Sequence, residues 1–582
     1  MKIPDQLANI QSRALRLAQE TLKARGFTSL SNQEWEGSLD IQNFGSIQVT
    51  VTLPPEFPDS LPDVRVVDNF PTPLPHLEPL KNGKRKVCIG DGEGLFWNPE
   101  RPGDFIQEAL DRVRETIEDG LAKKNHDDFP QEFLAYWNAE ITVASILDVN
   151  GLPRDVWISK LSSEKSWFPR QLLSNNKREA KAWATNLGFP VTDFQKALYL
   201  PLEKPIAVSL EKVETVQDFL SLIKDHGSLA LINKILKRPL QLPTVFAISF
   251  PLSESLNHVL FGFSIPAPST RELRNKSTAG FRPNRAPLRH QLRVMQKEPV
   301  FKVKFERFDI HYLLGRSGGI MDIQEKKVLV IGCGSVGSRI AEKLASSGIT
   351  RFCLVDPDEY KNDNVYRHLL PLQFVGMNKA KALAVYLQGR FPGIQCQFHP
   401  TGILEGLNNE VVCIDDFDLA IVATGIETLE LRLNQLFYGR FPSIFASVEP
   451  LGLGGHILLA GVPGQSGCLN CLYQNGQDLV PNRAFFTAPG QDVRRNHAGC
   501  GGTFLPFSPL DADRTALESA QLAVRLFLGE EVQSILLSWF GESTAFEKEG
   551  FKLSSRGSKI PPRTLIREER HINSNCKVCA DQ

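Results

Sequence analysis

The sequence has no long hydrophobic run: none of its stretches approaches about 18 uninterrupted apolar residues, and a helix needs about 20 to span a bilayer. Its first 20 residues mix charged and apolar positions and do not have the basic-then-apolar order of a secretory signal. We therefore expect a cytoplasmic protein that does not enter a membrane.

An excess of one charge is also absent, because 66 Lys and Arg balance 66 Asp and Glu. No global field attracts the chain to nucleic acid, so its partners must be recognised at local sites. Ten cysteines in 582 residues are too few for a disulfide scaffold. They are expected to be core residues, metal ligands or nucleophiles.

The length suggests three or four domains of about 150 residues each. Residues 1–145 combine an opening helix, strands closed by a proline-dense segment and a second helix, which predicts an α+β domain. Residues 146–300 carry helices and apolar strands without a chemical motif, so we predict an α/β middle or linker domain. Residues 301–582 contain strand-helix-strand units, which predict a Rossmann-like α/β domain with a parallel-rich sheet.

A glycine motif follows the first strand of the third domain, at Gly332, Gly334 and Gly337, and a helix follows the motif. Glycines allow backbone amides and the helix amino terminus to approach phosphate closely. Asp356 ends the next strand, nineteen residues after Gly337, where a carboxylate suits a ribose hydroxyl. This pattern predicts a nucleotide site.

Asn364, Arg367 and Lys379 lie just beyond Asp356, and such polar and cationic groups suit a triphosphate better than a dinucleotide. The order of these residues resembles the adenylating fold shared by ThiF, MoeB and the ubiquitin-activating enzymes. The matching positions are Gly332, Gly334, Gly337, Asp356, Asp358, Asn364, Arg367, His368, Gly376, Lys379 and Ala380. The resemblance implies ATP binding by the glycines, Asp356, Asp358, Asn364, Arg367 and Lys379, with Asp356 on the ribose and the last three on the phosphates.

One position departs from that family. A magnesium-positioning aspartate usually follows the next core strand, where this chain has Gly425. Mg²⁺ is still expected as a cofactor, held by Asp418, by Glu427 or by ATP oxygens alone.

The family also inserts an arginine from a partner subunit, taken from just before the first strand. Arg307 and Arg316 are the possible counterparts here. The resemblance therefore implies a homodimer formed through the adenylation domain.

Two C-x-x-C pairs, Cys468 with Cys471 and Cys576 with Cys579, offer four thiolates for one tetrahedral zinc. Their separation exceeds that of a zinc ribbon, but the resembling family closes its sheet with equally distant pairs. We predict a structural Zn²⁺ site, with free thiols or a redox pair as the alternatives.

Cys500 lies among glycines on a connection after the first C-x-x-C pair. In activating enzymes this region holds the cysteine that receives the adenylated carboxyl group as a thioester. We predict that Cys500 is catalytic, and the alternative is an unreactive surface cysteine.

Cys88 follows a proline-dense segment and an irregular turn, and Trp97, Asn98 and Pro99 precede a helix. This arrangement resembles the ubiquitin-conjugating fold over residues 1–140 and implies that Cys88 is a catalytic cysteine. The family's His-Pro-Asn tripeptide is missing, with its oxyanion-stabilising asparagine. His76 is the residue that we expect to substitute for it.

Chains with this order of domains resemble the bacterial fusion enzymes of CBASS anti-phage operons. The resemblance implies that ATP activates a protein's C-terminal carboxylate, which passes through Cys500 and Cys88 to a target amine. In that family the activated partner is a cGAS/DncV-like nucleotidyltransferase.

Two other functions fit part of the sequence. A ThiF- or MoeB-like sulfur-transfer enzyme needs the ATP and zinc sites but neither Cys88 nor Cys500. A non-catalytic nucleotide-sensing scaffold fits Gly425 and the absent His-Pro-Asn tripeptide.

Overall fold

The computed structural model describes residues 3–78, 80–90, 98, 100–162, 168–206, 213–227, 233, 236–237, 242–252, 258–267, 286–475, 478–496, 503–568 and 571–580. The chain forms two compact units, residues 1–181 with 190–307 and residues 182–189 with 308–582. Within the described part, every helix is too short or too polar to cross a membrane.

The front of the first unit is a five-stranded antiparallel meander in the order β1-β2-β3-β4-β5. Its strands are β1 Thr28–Ser29, β2 Glu34–Ile41, β3 Gly45–Thr52, β4 Asp63–Val67 and β5 Lys84–Lys86, and its helices are α1 Ile3–Ala24, α2 Pro102–Leu121 and α3 Phe129–Tyr136. Helix α2 starts with a proline, whose missing N–H is not needed in the first turn. Its buried face, which includes Phe105, Ala109 and Val113, lies in one core with the strand side chains Val49, Val51 and Val66.

The rest of the first unit is a closed seven-stranded barrel in the order β10-β11-β12-β6-β8-β7-β9. Its strands are β6 Ile141–Ser145, β7 Arg154–Leu161, β8 Gln171–Ser174, β9 Val191–Pro201, β10 Thr244–Pro251, β11 His258–Ile265 and β12 Phe301–Arg307, with helices α5 Val216–His226 and α6 Leu288–Val294. Helix α4 Lys177–Asn186 begins in the first unit and ends within residues 182–189, which belong to the second. The predicted mixture of helices and strands is present, but its closure into a barrel was not predicted. Strands β6 and β12 pair within this barrel, and the domain boundaries at 145 and 300 stay predictions.

Helix α3 contributes to both parts of the first unit. The Phe133 ring centroid lies 5.1 Å from that of Phe250 and 4.7 Å from that of Phe261, both on barrel strands. Just after the helix, the Trp137 indole N–H donates to the carbonyl of Val303 at 2.9 Å. Such buried aromatic contacts fix the helix axis on the barrel.

The second unit is built on an eight-stranded sheet in the order β15-β14-β13-β16-β17-β18-β23-β24. The first five of these strands are parallel and the last three add antiparallel. The strands are β13 Lys327–Ile331, β14 Arg351–Val355, β15 Gln395–His399, β16 Leu419–Val422, β17 Ser443–Val448, β18 Gly454–Ala460, β23 Ile535–Phe540 and β24 Thr564–Glu568; the short pairs are β19 Gln474–Asn475 with β20 Asp478–Leu479, and β21 Arg495–Asn496 with β22 Thr503–Phe504. The predicted Rossmann-like, parallel-rich sheet is confirmed.

Helices connect and cover these strands: α7 Ile310–Ser317, α8 Ser335–Ser347, α9 Lys379–Arg390, α10 Ile403–Asn408, α11 Glu427–Phe437, α12 Pro509–Phe527 and α13 Thr544–Lys548. Helix α12 begins with a capping box, because Ser508 accepts from the Asp511 amide and Asp511 accepts from the Ser508 amide. Helix α8 follows β13 directly and packs along α12. This order places the amino terminus of α8 at the carboxyl edge of the parallel strands, where nucleotide sites form.

Candidate functional sites in the two units

The glycine turn after β13 is built for close backbone packing. Gly332 has a φ of +87°, and a Cβ there would lie 2.5 Å from the carbonyl oxygen of Ala423. A Cβ on Gly337 would lie 1.9 Å from the carbonyl oxygen of Gly332, whereas nothing lies within 4 Å of the Cβ direction of Gly334. The turn is therefore tight on the protein side and open at Gly334, as a phosphate-binding turn requires.

Asp356 holds this turn in place from the end of β14. Its Oδ2 accepts from the Cys333 amide at 2.7 Å, and its Oδ1 accepts from the Asp358 amide at 2.8 Å. Burial raises the pKa of Asp356, although these amides and the charge of Lys379 oppose that effect. The carboxylate lies beside the glycine turn, where the predicted ribose contact requires it.

The predicted phosphate-binding residues surround the same edge. Lys379 starts helix α9 and its Nζ lies 2.7 Å from Asp358 Oδ2. Asn364 ends a short 3-10 turn, and its Oδ1 accepts from the Lys361 amide at 3.1 Å. The guanidinium carbon of Arg367 lies 5.8 Å from the ring centroid of Phe504.

His368 and Arg339 fix the segment that carries Arg367. The His368 Nε2 lies 2.8 Å from the carbonyl oxygen of Cys333, and its Nδ1 accepts from the Leu370 amide at 3.1 Å. Because Nδ1 accepts, Nε2 carries the hydrogen. Burial lowers the pKa of His368 to about 4, so the ring stays neutral. Arg339 Nη1 donates to the carbonyl of Arg367 at 2.8 Å.

Two expectations about this edge need correction. Asp418 lies at the start of β16 and accepts from the Lys327 amide at 2.8 Å, which is the strand end opposite the glycine turn, so it is not a magnesium ligand. Arg307 ends a barrel strand and donates to the carbonyl of His258, so its guanidinium already has a partner inside the first unit. Glu427, at the exposed start of α11 two residues after Gly425, and Arg316 on α7 stay predictions.

The four C-x-x-C cysteines come together although about a hundred residues separate the pairs. The sulfurs of Cys468 and Cys576 are 3.6 Å apart and those of Cys471 and Cys579 are 3.4 Å apart. All four are buried, and their ligand atoms lie within 4.8 Å of one another. A tetrahedral zinc with bonds of about 2.3 Å holds sulfurs about 3.8 Å apart, so the cluster fits this ion.

The front site centres on Cys88, just after the meander. The Cys88 amide donates to the carbonyl of His76 at 2.7 Å, which fixes the two residues side by side. A sulfur, an imidazole nitrogen and a carboxylate oxygen from Cys88, His76 and Glu132 lie within 4.8 Å of one another. A thiol, an imidazole and a carboxylate at this spacing are typical of an activated nucleophile.

Both ring nitrogens of His76 face carboxylates. Nε2 lies 3.0 Å from Asp128 Oδ2, and Nδ1 contacts Glu132. The hydrogen bond with the Cys88 side chain, followed by the hydrogen bond with Glu132, raises the pKa of His76 to about 10. In turn the bond with His76 lowers the pKa of the Cys88 thiol, with help from the Gly90 amide. The site therefore favours the thiolate form of Cys88 beside a protonated His76.

Asp128, Glu132 and Tyr136 were not found from the sequence as parts of this site. Their signal is a spacing of four in HDDFPQEFLAY, which places them on one helical face. Of the predicted residues, Cys500, Trp97 and Pro99 lie outside the described residues.

Comparison with known proteins assigns these regions to two families. Residues 12–146 match the prokaryotic E2 family B, and residues 311–503 match the ThiF family. The chain therefore combines an E2-like region and a ThiF-type adenylation region in one polypeptide. The predicted fusion of conjugating-like and activating-like domains is confirmed.

Individual relatives match over smaller parts. The ATP-dependent ubiquitin transferase-like protein Cap2 of Enterobacter hormaechei subsp. hoffmannii is 31% identical over 215 residues, 35% of this chain and 35% of that protein. Ubiquitin-like modifier-activating enzyme 5 of Bombyx mori is 26% identical over 206 residues, 32% of this chain and 49% of that protein. These matches cover a third to a half of the relatives' lengths. A crystal structure of E. coli MccB with ATP aligns at 18% identity over 44% of this chain and 67% of that chain, with a TM-score of 0.32.

Proposed function

We propose that this protein uses ATP to activate the C-terminal carboxylate of a partner protein and transfers the resulting acyl group through Cys88 to an amine on a target. The observation that carries the proposal is the close grouping of Cys88, His76 and Glu132 in a chain that also has the glycine turn held by Asp356. Adenylation without a second acceptor would not require an activated thiol in the E2-like region.

The chemistry begins with ATP as a substrate at the glycine turn. The partner's carboxylate oxygen attacks the α-phosphorus, an O–P bond forms, and pyrophosphate leaves. Arg367 and Lys379 would stabilise the charge that develops on the departing phosphates. The Asp358 carboxylate beside Lys379 orients its ammonium in the free protein.

Acyl transfer to Cys88 follows. The Cys500 sulfur forms a C–S bond to the acyl carbon as AMP leaves. The Cys88 sulfur then forms the new C–S bond by thioester exchange, and Cys500 leaves as a thiolate. A target amine next forms the C–N bond while the C–S bond breaks, Cys88 leaves as a thiolate, and the amine's proton passes to solvent. His76, charged and beside the sulfur, supplies the electrostatic stabilisation that an asparagine gives in ubiquitin-conjugating enzymes.

The identity of the partner is part of the same proposal. The order of the domains, which resembles that of the CBASS fusion enzymes, supports a nucleotidyltransferase of the cGAS/DncV type as the activated protein, and the similarity to ATP-dependent ubiquitin transferase-like proteins supports activation of a protein. The adenylation domain forms a homodimer in which Arg316 enters the neighbouring nucleotide site. The cluster of Cys468, Cys471, Cys576 and Cys579 holds structural zinc. Mg²⁺ accompanies ATP.

Trapping of intermediates tests this function. The full chain is incubated with ATP, Mg²⁺ and a nucleotidyltransferase of this type, and intact mass and non-reducing gels record adducts. Cys88→Ala should leave a thiol-sensitive adduct on Cys500, and Cys500→Ala should stop at the adenylate with Cys88 empty. Cys353→Ala, a change in the sheet core, is the control for nonspecific loss.

Two results would overturn parts of the proposal. Target modification at the wild-type level in Cys88→Ala excludes the E2-like region as the conjugating module and favours sulfur transfer or nucleotide sensing. Normal modification in Cys500→Ala shows instead that the adenylate reaches Cys88 directly.

A further inference from the structure

Glu132 reaches His76 by more than one bond. One carboxylate oxygen, Oε1, contacts the ring Nδ1, and the other, Oε2, accepts from the His76 backbone amide at 3.0 Å. Oε2 also accepts a hydrogen bond from the Tyr136 hydroxyl. The side chain is only 22% exposed, so solvent competes weakly for these bonds.

The backbone of His76 needs such support. Its φ of +62° lies in the left-handed region, which residues with a Cβ seldom occupy. The Tyr136 hydroxyl accepts from the same amide at 2.6 Å. Helix α3 therefore holds both the backbone and the ring of His76.

These contacts decide what the imidazole can do. A carboxylate only accepts hydrogen bonds, so a ring with a carboxylate at each nitrogen carries hydrogens on both. Nε2 faces Asp128 and Nδ1 faces Glu132. No lone pair is left to take a proton from an attacking amine or from the Cys88 thiol.

We propose that Glu132 is a positioning residue that keeps His76 a cation at neutral pH, so that His76 supports Cys88 by its charge and not as a general base. This inference rests on the proposed function for its catalytic meaning. Its structural content concerns only Cys88 before any acyl group is attached. The groups that face His76 are Cys88 on the turn and Asp128, Glu132 and Tyr136 on or beside α3.

The pKa values agree with this geometry. Burial disfavours the charged form of Glu132, yet its bonds with His76 and Tyr136 lower its pKa overall. Burial, followed by the bond with Glu132, raises the pKa of the Tyr136 hydroxyl, which stays protonated and donates. Each group thus keeps the protonation state that the hydrogen-bond network requires.

The test is the pH profile of Cys88 alkylation in the full chain without ATP or partner. Iodoacetamide is the probe, and the mass of the Cys88 peptide is the readout. Glu132→Gln should raise the apparent pKa of Cys88 by about 1, because it removes one of the two carboxylates that stabilise protonated His76, and this loss outweighs the relief of the repulsion between Glu132 and the Cys88 thiolate. Glu132→Asp keeps that charge and should restore part of the wild-type profile.

Two further variants keep the test decisive. Asp119→Asn removes a carboxylate that pairs with the exposed Lys124 and should leave the profile unchanged. Tyr136→Phe should shift the profile in the same direction as Glu132→Gln but less, and serves if Glu132→Gln does not fold.

An unchanged profile in folded Glu132→Gln and Tyr136→Phe would overturn the inference. Because alkylation needs neither ATP nor a partner, this failure is distinct from failure of the proposed function, which would appear as an absent Cys88 adduct with a wild-type alkylation profile.

Discussion

The two sites of this chain are made in different ways. The glycine turn consists mainly of backbone groups: its shape depends on amides and on a glycine with positive φ, and one buried carboxylate holds it at the edge of the sheet. The Cys88 site is made of side-chain charges that come from separate segments, Cys88 and His76 on one side and α3 on the other. The geometry of the glycine turn therefore depends on the folded sheet, whereas the chemistry of the Cys88 site depends on the protonation of its side chains.

The largest expected effect comes from the four-cysteine cluster of the second unit, because its loss should affect that unit and leave the Cys88 site intact. Cys468→Ser should leave three of the four ligands and unfold or strongly destabilise the second unit, since structural zinc sites contribute about 10 kcal/mol or more to folding. Zinc content by mass spectrometry and thermal unfolding measure this, with one ion expected per wild-type chain.

The exposed Cys413→Ser is the matched control and should change neither measurement. Cys88 alkylation should persist in both variants. A metal-free chain that unfolds at the same temperature would contradict the zinc assignment.

Substitution of the predicted phosphate-binding residues should reduce turnover without loss of structure. Arg367→Ala or Lys379→Ala should reduce partner-dependent pyrophosphate exchange by about 10²- to 10³-fold, because each removes a charge that stabilises the departing phosphates. Lys381→Ala, an exposed neighbour on α9, is the control. Equal exchange in Lys379→Ala and Lys381→Ala would remove Lys379 from the site.

A smaller effect is expected at His368, and it tests whether backbone geometry determines nucleotide binding at the glycine turn. His368→Ala should weaken ATP binding by about tenfold, since one buried hydrogen bond to the glycine turn is worth about 1 to 1.5 kcal/mol. His368→Gln also donates to the Cys333 carbonyl and should bind ATP almost as the wild type does. Calorimetric titration with ATP compares the affinities of the two variants. An equal loss of affinity in both would contradict the role of the His368 hydrogen bond.

The last prediction concerns pH and the front site. His76 has a pKa raised from its ordinary 6.5 to about 10, so its contribution to stability is fully present below pH 6.5 and is lost as pH rises through about 10. The unfolding temperature of the wild-type protein should therefore fall relative to that of His76→Gln as the pH rises from 7 to 10. Parallel curves would show that His76 is not charged in the folded protein.

The residues near the nucleotide turn were predictable because they follow one another along the chain. Gly332 and Asp356 follow two consecutive parallel strands and Lys379 starts the next helix, all within 48 positions, so the order of strands and helices brings them to one edge of the sheet. Glu132 is 56 residues from His76, and no local pattern links a helix to a distant turn. Barrel closure was hidden for the same reason, because β6 pairs with β12 about 160 residues later.

Helix α3 also bears on how this protein can be dissected. One of its faces supplies Glu132 and Tyr136 to His76, while Phe133 and the following Trp137 are seated on barrel strands. A fragment that keeps the meander and α2 but omits the barrel retains the nucleophile and loses the support for its counter-ion. A fragment that is meant to keep the contacts of His76 should therefore include the barrel, which extends beyond the family match at residues 12–146.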